Sequence, residues 1–358
     1  MSTLMIMAGG TGGHVYPALA VAHTLQADGV NVFWLGTRQG IEARVVPEND
    51  IDVEWISISG IKGRGLFALV SAPFKIIYAM LQTAAIIYRR RPEAALGMGG
   101  FVSGPGGLMT RLLRVPLLIH ESNAVVGLTN KWLAKIASEV LVGFPDVLVG
   151  SRHRHYVGNP VRESIAALPL PEQRLKGRSG RLHLLIVGGS LGAQVLNETV
   201  PAALASIDSV IRPEVLHQAG RGKLEATLNV YDEFAVQVNC REFIDDMAAA
   251  YLWADLVICR AGAMTVAEIA AAGVAAIFVP YPYAIYDHQT LNARFLSDKK
   301  AAILIPQERF SAESLANVLV ELASDRPCLI GLSRRARRNA MTDATRQVAE
   351  LCKEVMHA

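Results

Sequence analysis

Within the stretch CRAGAMTVAEIAAAGVAAIFVPYPYAIYDHQTLNA, Cys259 to Ala293, several residues have the types and spacing to hold a phosphorylated sugar. Ala261-Gly262-Ala263 reads as a tight turn between the strand ADLVICR and a helix. Thr265 is expected to start that helix, its hydroxyl capping free backbone N–H groups. Gly273 is expected to end it, and VAAIFVP reads as a buried strand stopped by Pro280. A helix start after a glycine turn offers unpaired N–H groups and the positive end of a dipole, which suit a diphosphate. Glu268, one turn in, can accept two hydrogen bonds from the vicinal hydroxyls of a ribose. The amides of Gln289 and Asn292 could then meet a sugar. The competing reading of this window alone is an ordinary capped α/β crossover.

A second set of chemically apt residues lies near the start of the chain. The strand LMIMA runs into GGTGGHVYP and a helix that closes at Gly29. Thr11 and His14 stand at the mouth of the turn made by Gly9, Gly10, Gly12 and Gly13. The turn is not the dinucleotide fingerprint, because Val15 stands where a glycine is needed. The next strand, VNVFWLG, also ends in Gly36-Thr37, without the acidic residue that would hold a ribose. No Lys-Ser/Thr pair follows the glycines, which excludes a P-loop. What remains is a backbone cradle for an anion. Imidazole titrates near neutral pH, so His14 is a candidate base, with a structural histidine as the alternative.

A third glycine turn, AALGMGGFVSGPGG over 94–107, follows another strand, and VPLLIHE then leads to Glu121, Ser122 and Asn123. Parallel strands bring such residues together at their carboxyl ends, so His14, Gly100, Ser103, Glu121 and Asn123 could line one mouth. Glu121 is a second candidate base; a solvated loop carboxylate is the alternative. After VGNPVR a Pro-, Gln-, Arg- and Gly-rich stretch reaches GRSGR, and 157–180 reads as an interdomain linker. The pattern restarts in RLHLLIVGGSLGAQVLN, with Ser190 poised like Thr11, and Phe243-Ile244-Asp245-Asp246-Met247 begins a later helix. These elements predict an α/β fold of two βαβ arrays in tandem. The expected domains are 1–162 and 163–340, with a last helix at about 341–358 packing back on the first.

The chain of 358 residues is long enough for two domains. With 51% apolar residues and 30 glycines it suits buried parallel strands and tight turns. A net charge of only +3 gives no global signal for nucleic acid. Cys240, Cys259, Cys328 and Cys352 form no CxxC pair, so neither a zinc site nor a disulfide framework is indicated, and a reducing cytoplasmic compartment is inferred. The first eight residues lack a basic leader and read as a strand instead of a secretory signal. Asp50-Ile-Asp52 matches the short DxD metal pattern of some sugar transferases, but it sits in a turn and is taken as chance.

Residues 61–91 carry Lys62, Arg64, Lys75, Arg89, Arg90 and Arg91 without a single Asp or Glu. Pro73 and Lys75 interrupt the apolar run, leaving about 15 residues before Arg89, short of the roughly 20 a membrane span needs. Leu66, Phe67, Leu69, Val70, Phe74, Ile77, Tyr78 and Leu81, with Lys75, instead suit an interfacial contact with anionic lipid. A helix whose apolar face is merely core is the alternative.

Taken in order, GGTGGH, GMGGFVSGPGG, HESNAVVGLTNK, VGNPVR, GGSLGA, FIDDMAAAY, CRAGAMTVAEIAAAG and DHQTLNA span nearly the whole chain. This ordered set resembles the bacterial MurG family of peptidoglycan N-acetylglucosaminyltransferases. The resemblance implies the GT-B architecture: two Rossmann-like domains facing each other across a cleft, with no metal and no cofactor. It implies transfer of N-acetylglucosamine, with inversion, from its UDP donor to the muramoyl 4-hydroxyl of lipid I, giving lipid II. It further implies a peripheral location on the cytoplasmic face of the cell (inner) membrane, with other cell-wall synthesis proteins as candidate partners.

Carried over motif by motif, the donor contacts would be Thr11, Gly12, Gly13, Asn123, Arg162, Ser190, Ile244, the run Ala263, Met264, Thr265, Val266, Ala267 and Glu268, and Gln289. Ile244 would pack near the uracil, Ser190 and the helix start would hold the diphosphate, Glu268 the ribose, and Gln289 with Asn292 the sugar hydroxyls. Leu191 departs from the family pattern, where many members have Gln, which puts one polar phosphate contact in doubt. His14 is the first choice for the base, Glu121 the second and His288 the third. A UDP-N-acetylglucosamine epimerase on the same fold would leave the 61–91 stretch without purpose. A transferase acting on a diacylglycerol lipid would keep the membrane face, and a nucleotide-sugar sensor would bind without turnover.

Overall fold

The strands are short, apolar and bounded by glycine or polar turns, the pattern of parallel sheets covered on both faces. The computed structural model describes residues 2–58 and 65–357, and the side chains within them apart from 65–71 and 285. The chain divides into two compact units, Met1–Arg162 with Met341–Ala358, and Glu163–Ala340.

In the first unit, β1 (Thr3–Ala8), β2 (Asn31–Gly36), β3 (Asp52–Trp55), β4 (Ala94–Gly99), β5 (Leu117–Glu121), β6 (Glu139–Val142) and β7 (Arg154–Tyr156) form one sheet. Its order is β3-β2-β1-β4-β5-β6-β7, with every pairing parallel. Leu4 to Ala8 are completely buried in β1, and Trp34 is equally buried in β2, its indole N–H donating to the Ala8 carbonyl at 2.8 Å. The helix Ala344–His357 belongs to this unit: Val348, Ala349 and Cys352 join its core. Thr345 Oγ1 donates to the Val161 carbonyl at 3.0 Å, and Lys353 pairs with Asp28.

In the second unit, β8 (His183–Val187), β9 (Glu214–Gln218), β10 (Asn239–Arg241), β11 (Leu256–Cys259), β12 (Ala275–Phe278) and β13 (Ile303–Leu304) make a parallel sheet in the order β10-β9-β8-β11-β12-β13. Residues 163–180, expected as linker, fold as part of this unit. Arg174 is buried and donates to the carbonyls of Ala254 and Gly273, while Arg178 pairs at 2.7 Å with the buried Asp255. Guanidinium groups that satisfy helix-end carbonyls fix the segment more firmly than its Pro- and Gly-rich composition suggests.

The stretch around 61–91 is only partly as expected. Lys62 and Arg64 lie outside the described residues, as do the side chains of Leu66, Phe67, Leu69 and Val70. One continuous helix, Gly65–Arg90, runs through Pro73 without ending there. Arg89 bonds Glu54 at 2.6 Å and Arg90 bonds Asp52 at 2.8 Å, so the helix end is tied to β3 and its two cations have acidic partners the local sequence does not show. Among the described residues no helix is long and apolar enough to cross a membrane. Asp50 ends a short turn in the left-handed region and Asp52 serves Arg90; no cluster of metal-ligating side chains occurs among the described residues. All four cysteines are free, and burial pushes the thiol of Cys240 up to about 11 and that of Cys352 to about 12.

Candidate active site

The first unit's strand order reverses between β1 and β4, and the loops leaving their carboxyl ends are the two glycine turns. They touch: a Cβ on Gly100, whose φ is +86°, would lie 2.3 Å from the Gly9 carbonyl oxygen. Only glycine at this position lets the loops close on each other. His14 sits in the first turn of the helix Gly12–Ala27, half-buried, with Nδ1 3.3 Å from the Gly9 carbonyl. Its ring lies against Gly99, where a Cβ would stand 2.7 Å from Cδ2. Thr11 is the N-cap and its hydroxyl makes no cap bond; with Gly13 it is exposed, while Gly12 is half-exposed. The helix start therefore presents backbone N–H groups beside a hydroxyl, as an anion cradle requires.

Sequence reasoning missed the group that shapes this cradle. Glu42 is completely buried and accepts from Gly10 N at 2.9 Å, Thr37 N at 3.1 Å and Thr37 Oγ1 at 2.8 Å. Its side chain fills the space left by Gly9, Gly36 and Gly40, so the two glycines ahead of an acid in GTRQGIE were the available signal.

Glu121 is not the solvated carboxylate of the alternative reading, and its bonds point to a part in the loop. It is 4% exposed, and its Oε1 accepts from Asn123 N at 3.0 Å and Asn123 Nδ2 at 3.4 Å. Oε2 accepts from Gly127 N and Asn130 Nδ2, both at 3.0 Å. With donors on both oxygens, the carboxylate organises the loop that carries Asn123 and starts the helix Leu128–Leu133. Ser103 is likewise a brace and not a lining group: it is fully buried, and its Oγ lies 3.2 Å from Gly99 N and 3.1 Å from the Met7 carbonyl. Arg162 is half-buried, with its guanidinium 5.9 Å from the centre of the Tyr16 ring.

In the second unit the order reverses between β8 and β11, and again the loops after both strands are glycine turns. Ser190 is exposed in the first of them, but the helix begins only at Gln194, so Ser190 stands in the loop and not at a cap as Thr11 does. Leu191 is also exposed. In the second loop the N-cap is Gly262 and the helix is Ala263–Ala272. Thr265 therefore lies inside the first turn instead of starting it. Ala263 and Val266 are buried, and Val266 N bonds the Gly262 carbonyl at 3.0 Å. Met264, Thr265, Ala267 and Glu268 are half-exposed, and the buried Tyr251 donates its hydroxyl to Glu268 Oε2 at 3.1 Å. Gly273 ends the helix with φ +60°, as expected.

Ile244 is buried, and its N–H is bonded to Gln218 Oε1 at 3.0 Å. Gln289 Oε1 accepts from Tyr281 N at 3.0 Å and Ala261 N at 3.3 Å, and His288 begins the helix His288–Ser297. Asn292 is completely buried and donates to the Ala261 carbonyl at 3.1 Å, so it supports the loop after β11.

Two parallel Rossmann-type sheets, each with paired glycine loops at its switch point, make up the GT-B architecture, and the family matches place the chain among its glycosyltransferases. Residues 4–142 match the glycosyltransferase family 28 N-terminal domain and residues 183–348 the family 28 C-terminal domain. A relative from Nitrosococcus oceani is 50% identical over 352 residues, covering 98% of both chains, and is a UDP-N-acetylglucosamine–N-acetylmuramyl-(pentapeptide) pyrophosphoryl-undecaprenol N-acetylglucosamine transferase. The crystal structure of MurG from Acinetobacter baumannii superposes with a TM-score of 0.85 at 40% identity, covering 99% of this chain and 100% of that one. A UDP-GlcNAc 2-epimerase from Neisseria meningitidis shares the fold at a TM-score of 0.69 but only 10% identity, over 99% of this chain and 100% of that one. The chain belongs to the family of N-acetylmuramyl-(pentapeptide) pyrophosphoryl-undecaprenol N-acetylglucosamine transferases.

Proposed function

We propose that the protein transfers N-acetylglucosamine from UDP-N-acetylglucosamine to the muramoyl 4-hydroxyl of lipid I, producing lipid II and UDP with inversion at the anomeric carbon. The second unit is the donor unit. The observation that carries this is the helix start at Ala263, with Glu268 one turn inside it, leaving a strand adjacent to the one that leads to Ser190. Backbone N–H groups, the Ser190 hydroxyl and the Thr265 hydroxyl serve the diphosphate. Glu268 serves the ribose, Gln289 the sugar, and the Ile244 backbone the uracil.

The first unit supplies the acceptor side and the base, and Thr11, Gly12, Gly13, Asn123 and Arg162 keep the role of donor contacts. Nδ1–H of His14 donating to the Gly9 carbonyl leaves Nε2 to take the proton of the attacking hydroxyl. The hydroxyl oxygen then bonds to the anomeric carbon as the bond to the diphosphate oxygen breaks. The charge that develops on departing UDP is met by fixed N–H dipoles at the helix start.

The helix Gly65–Arg90 is the membrane contact of the first unit. Phe74, Ile77, Tyr78 and Leu81 are 74%, 56%, 56% and 62% exposed at positions that fall on one helical face, beside exposed Lys75. Arg111, Arg114, Lys131, Lys135 and Arg152 line a cavity of about 940 Å³ in the same unit, which adds attraction for anionic headgroups at the cytoplasmic face of the membrane.

The test is to supply UDP-N-acetylglucosamine and a short-chain muramoyl-pentapeptide diphosphate lipid, and to follow the lipid by mass spectrometry. A lipid heavier by one N-acetylhexosamine supports the reading. An unmodified lipid, with the donor converted to its epimer, would replace it by the epimerase on the same fold.

A further inference from the structure

We propose that Gln218 is a positioning residue of the donor site, tying the loop that serves the diphosphate to the backbone that serves the base. The inference rests on the donor reading above and names a residue that reading does not use. Gln218 is the last residue of β9, in register with Val187 of β8 on one side and Arg241 of β10 on the other. Those neighbours lead directly into the loop 188–192 and the segment 242–246.

The side chain is 3% exposed, and both ends of its carboxamide are occupied by loop backbone. Nε2 donates to the Gly189 carbonyl at 3.0 Å, and Oε1 accepts from Ile244 N at 3.0 Å. A neutral carboxamide carries a donor and an acceptor side by side; Met has neither, and an ionised Glu lacks the donor. Backbone bonds repeat the tie: Arg221 N donates to the Ser190 carbonyl and Gly220 N to the Glu242 carbonyl, both at 3.1 Å. Gly192 and Gly220 abut so closely that a Cβ on Gly220 would lie 2.2 Å from Gly192 N.

A buried amide is costly unless both halves are bonded, and here the bonds fall on two loops and not within the core. What they secure is the spacing between Ser190 and Ile244, and so between the diphosphate and the base. Loosening that spacing weakens ground-state grip on the nucleotide while leaving bond breaking nearly unaffected.

The experiment compares Gln218→Met and Gln218→Glu with the parent for UDP affinity, donor KM, kcat and thermal midpoint. Loss of two hydrogen bonds predicts a rise of roughly tenfold in UDP Kd and donor KM for Gln218→Met, with kcat within about threefold. In Gln218→Glu the ionised carboxylate cannot donate to Gly189, but the protonated form can. Its UDP affinity is therefore expected to recover toward the parent's between about pH 8 and about pH 5, while that of Gln218→Met, measured relative to the parent, stays flat. A donor KM within about twofold of the parent, with only the thermal midpoint lowered, would reduce Gln218 to a packing residue. If Gln218→Met does not fold, the Gln218→Glu series decides, and a pH-independent deficit overturns the proposal. Failure of the parent itself to bind UDP would sink the donor reading instead.

Discussion

The imidazole of His14 rests on the bare backbone of Gly99, in the space a Cβ would take 2.7 Å from its Cδ2. Two loops from different strands thereby fix the orientation of one ring. Gly99 also has φ +109°, a conformation that side chains disfavour. Gly99→Ala is predicted to displace His14 and lower kcat by about tenfold or more, with donor KM changing less than about threefold, because general-base catalysis contributes about 10²–10⁴. Steady-state kinetics beside a thermal midpoint check this; a large rise in donor KM at unchanged kcat would place His14 in binding and not in proton transfer.

Glu121 is predicted to act through its loop. Glu121→Ala leaves four donors without their acceptor and should cost about 2–4 kcal/mol of stability, while Glu121→Gln, which keeps one oxygen, should cost less. Denaturant unfolding measures the difference. A Glu121→Gln variant of parental stability with kcat down by about 10² or more would return Glu121 to the role of base.

For Glu268, the account predicts weaker donor binding. Glu268→Ala should raise donor KM by about 10–150-fold, the equivalent of one charge-assisted hydrogen bond of about 1.5–3 kcal/mol. The effect should largely vanish with a donor lacking the ribose hydroxyls. Equal losses on both donors would remove the ribose from the role of partner.

The buried histidine of the second unit makes stability depend on acid. Burial pushes His217 down to about 3, and its neutral ring is held between Tyr231 Oη at 2.9 Å and Asn197 Oδ1 at 3.1 Å. Its contribution is complete above the unfolded pKa of about 6.5 and is lost as pH falls toward the folded value. His217→Gln should therefore flatten the fall in thermal midpoint between about pH 6.5 and about pH 4. A variant as acid-sensitive as the parent would assign the loss to other groups.

The membrane face yields a separate test. Phe74→Ser with Leu81→Ser should reduce cosedimentation with phosphatidylglycerol vesicles, and the thermal midpoint should stay near the parent's because both side chains are exposed. Undiminished cosedimentation would move the contact elsewhere on the unit.

Much of this was legible in the sequence because the glycine turns recur in order after apolar strands, although each turn alone also fits an ordinary α/β crossover. The turns at Gly9–Gly13, Gly99–Gly100, 188–192 and 261–263 all lie at switch points, and their tandem repetition marks two βαβ arrays; the GT-B class came from the family resemblance. The parts that were not legible depend on partners distant in sequence. Nothing local to Glu121 announces that Gly127 and Asn130 return to it, and Glu42 is distinguished only by the glycines that make room for it. Arg89 and Arg90 read as membrane cations until β3 supplies Glu54 and Asp52. Asn292 and Val266 sit at the right spacing for a ligand contact, and their complete burial is set by packing that the local sequence does not show.

The most direct test of the central claim is UDP release from UDP-N-acetylglucosamine, measured with and without a short-chain lipid I analogue. The account predicts release that depends on the analogue, is nearly abolished in His14→Ala, and yields one disaccharide lipid per UDP. Release at the same rate without the acceptor, or donor binding with no release in its presence, would contradict it.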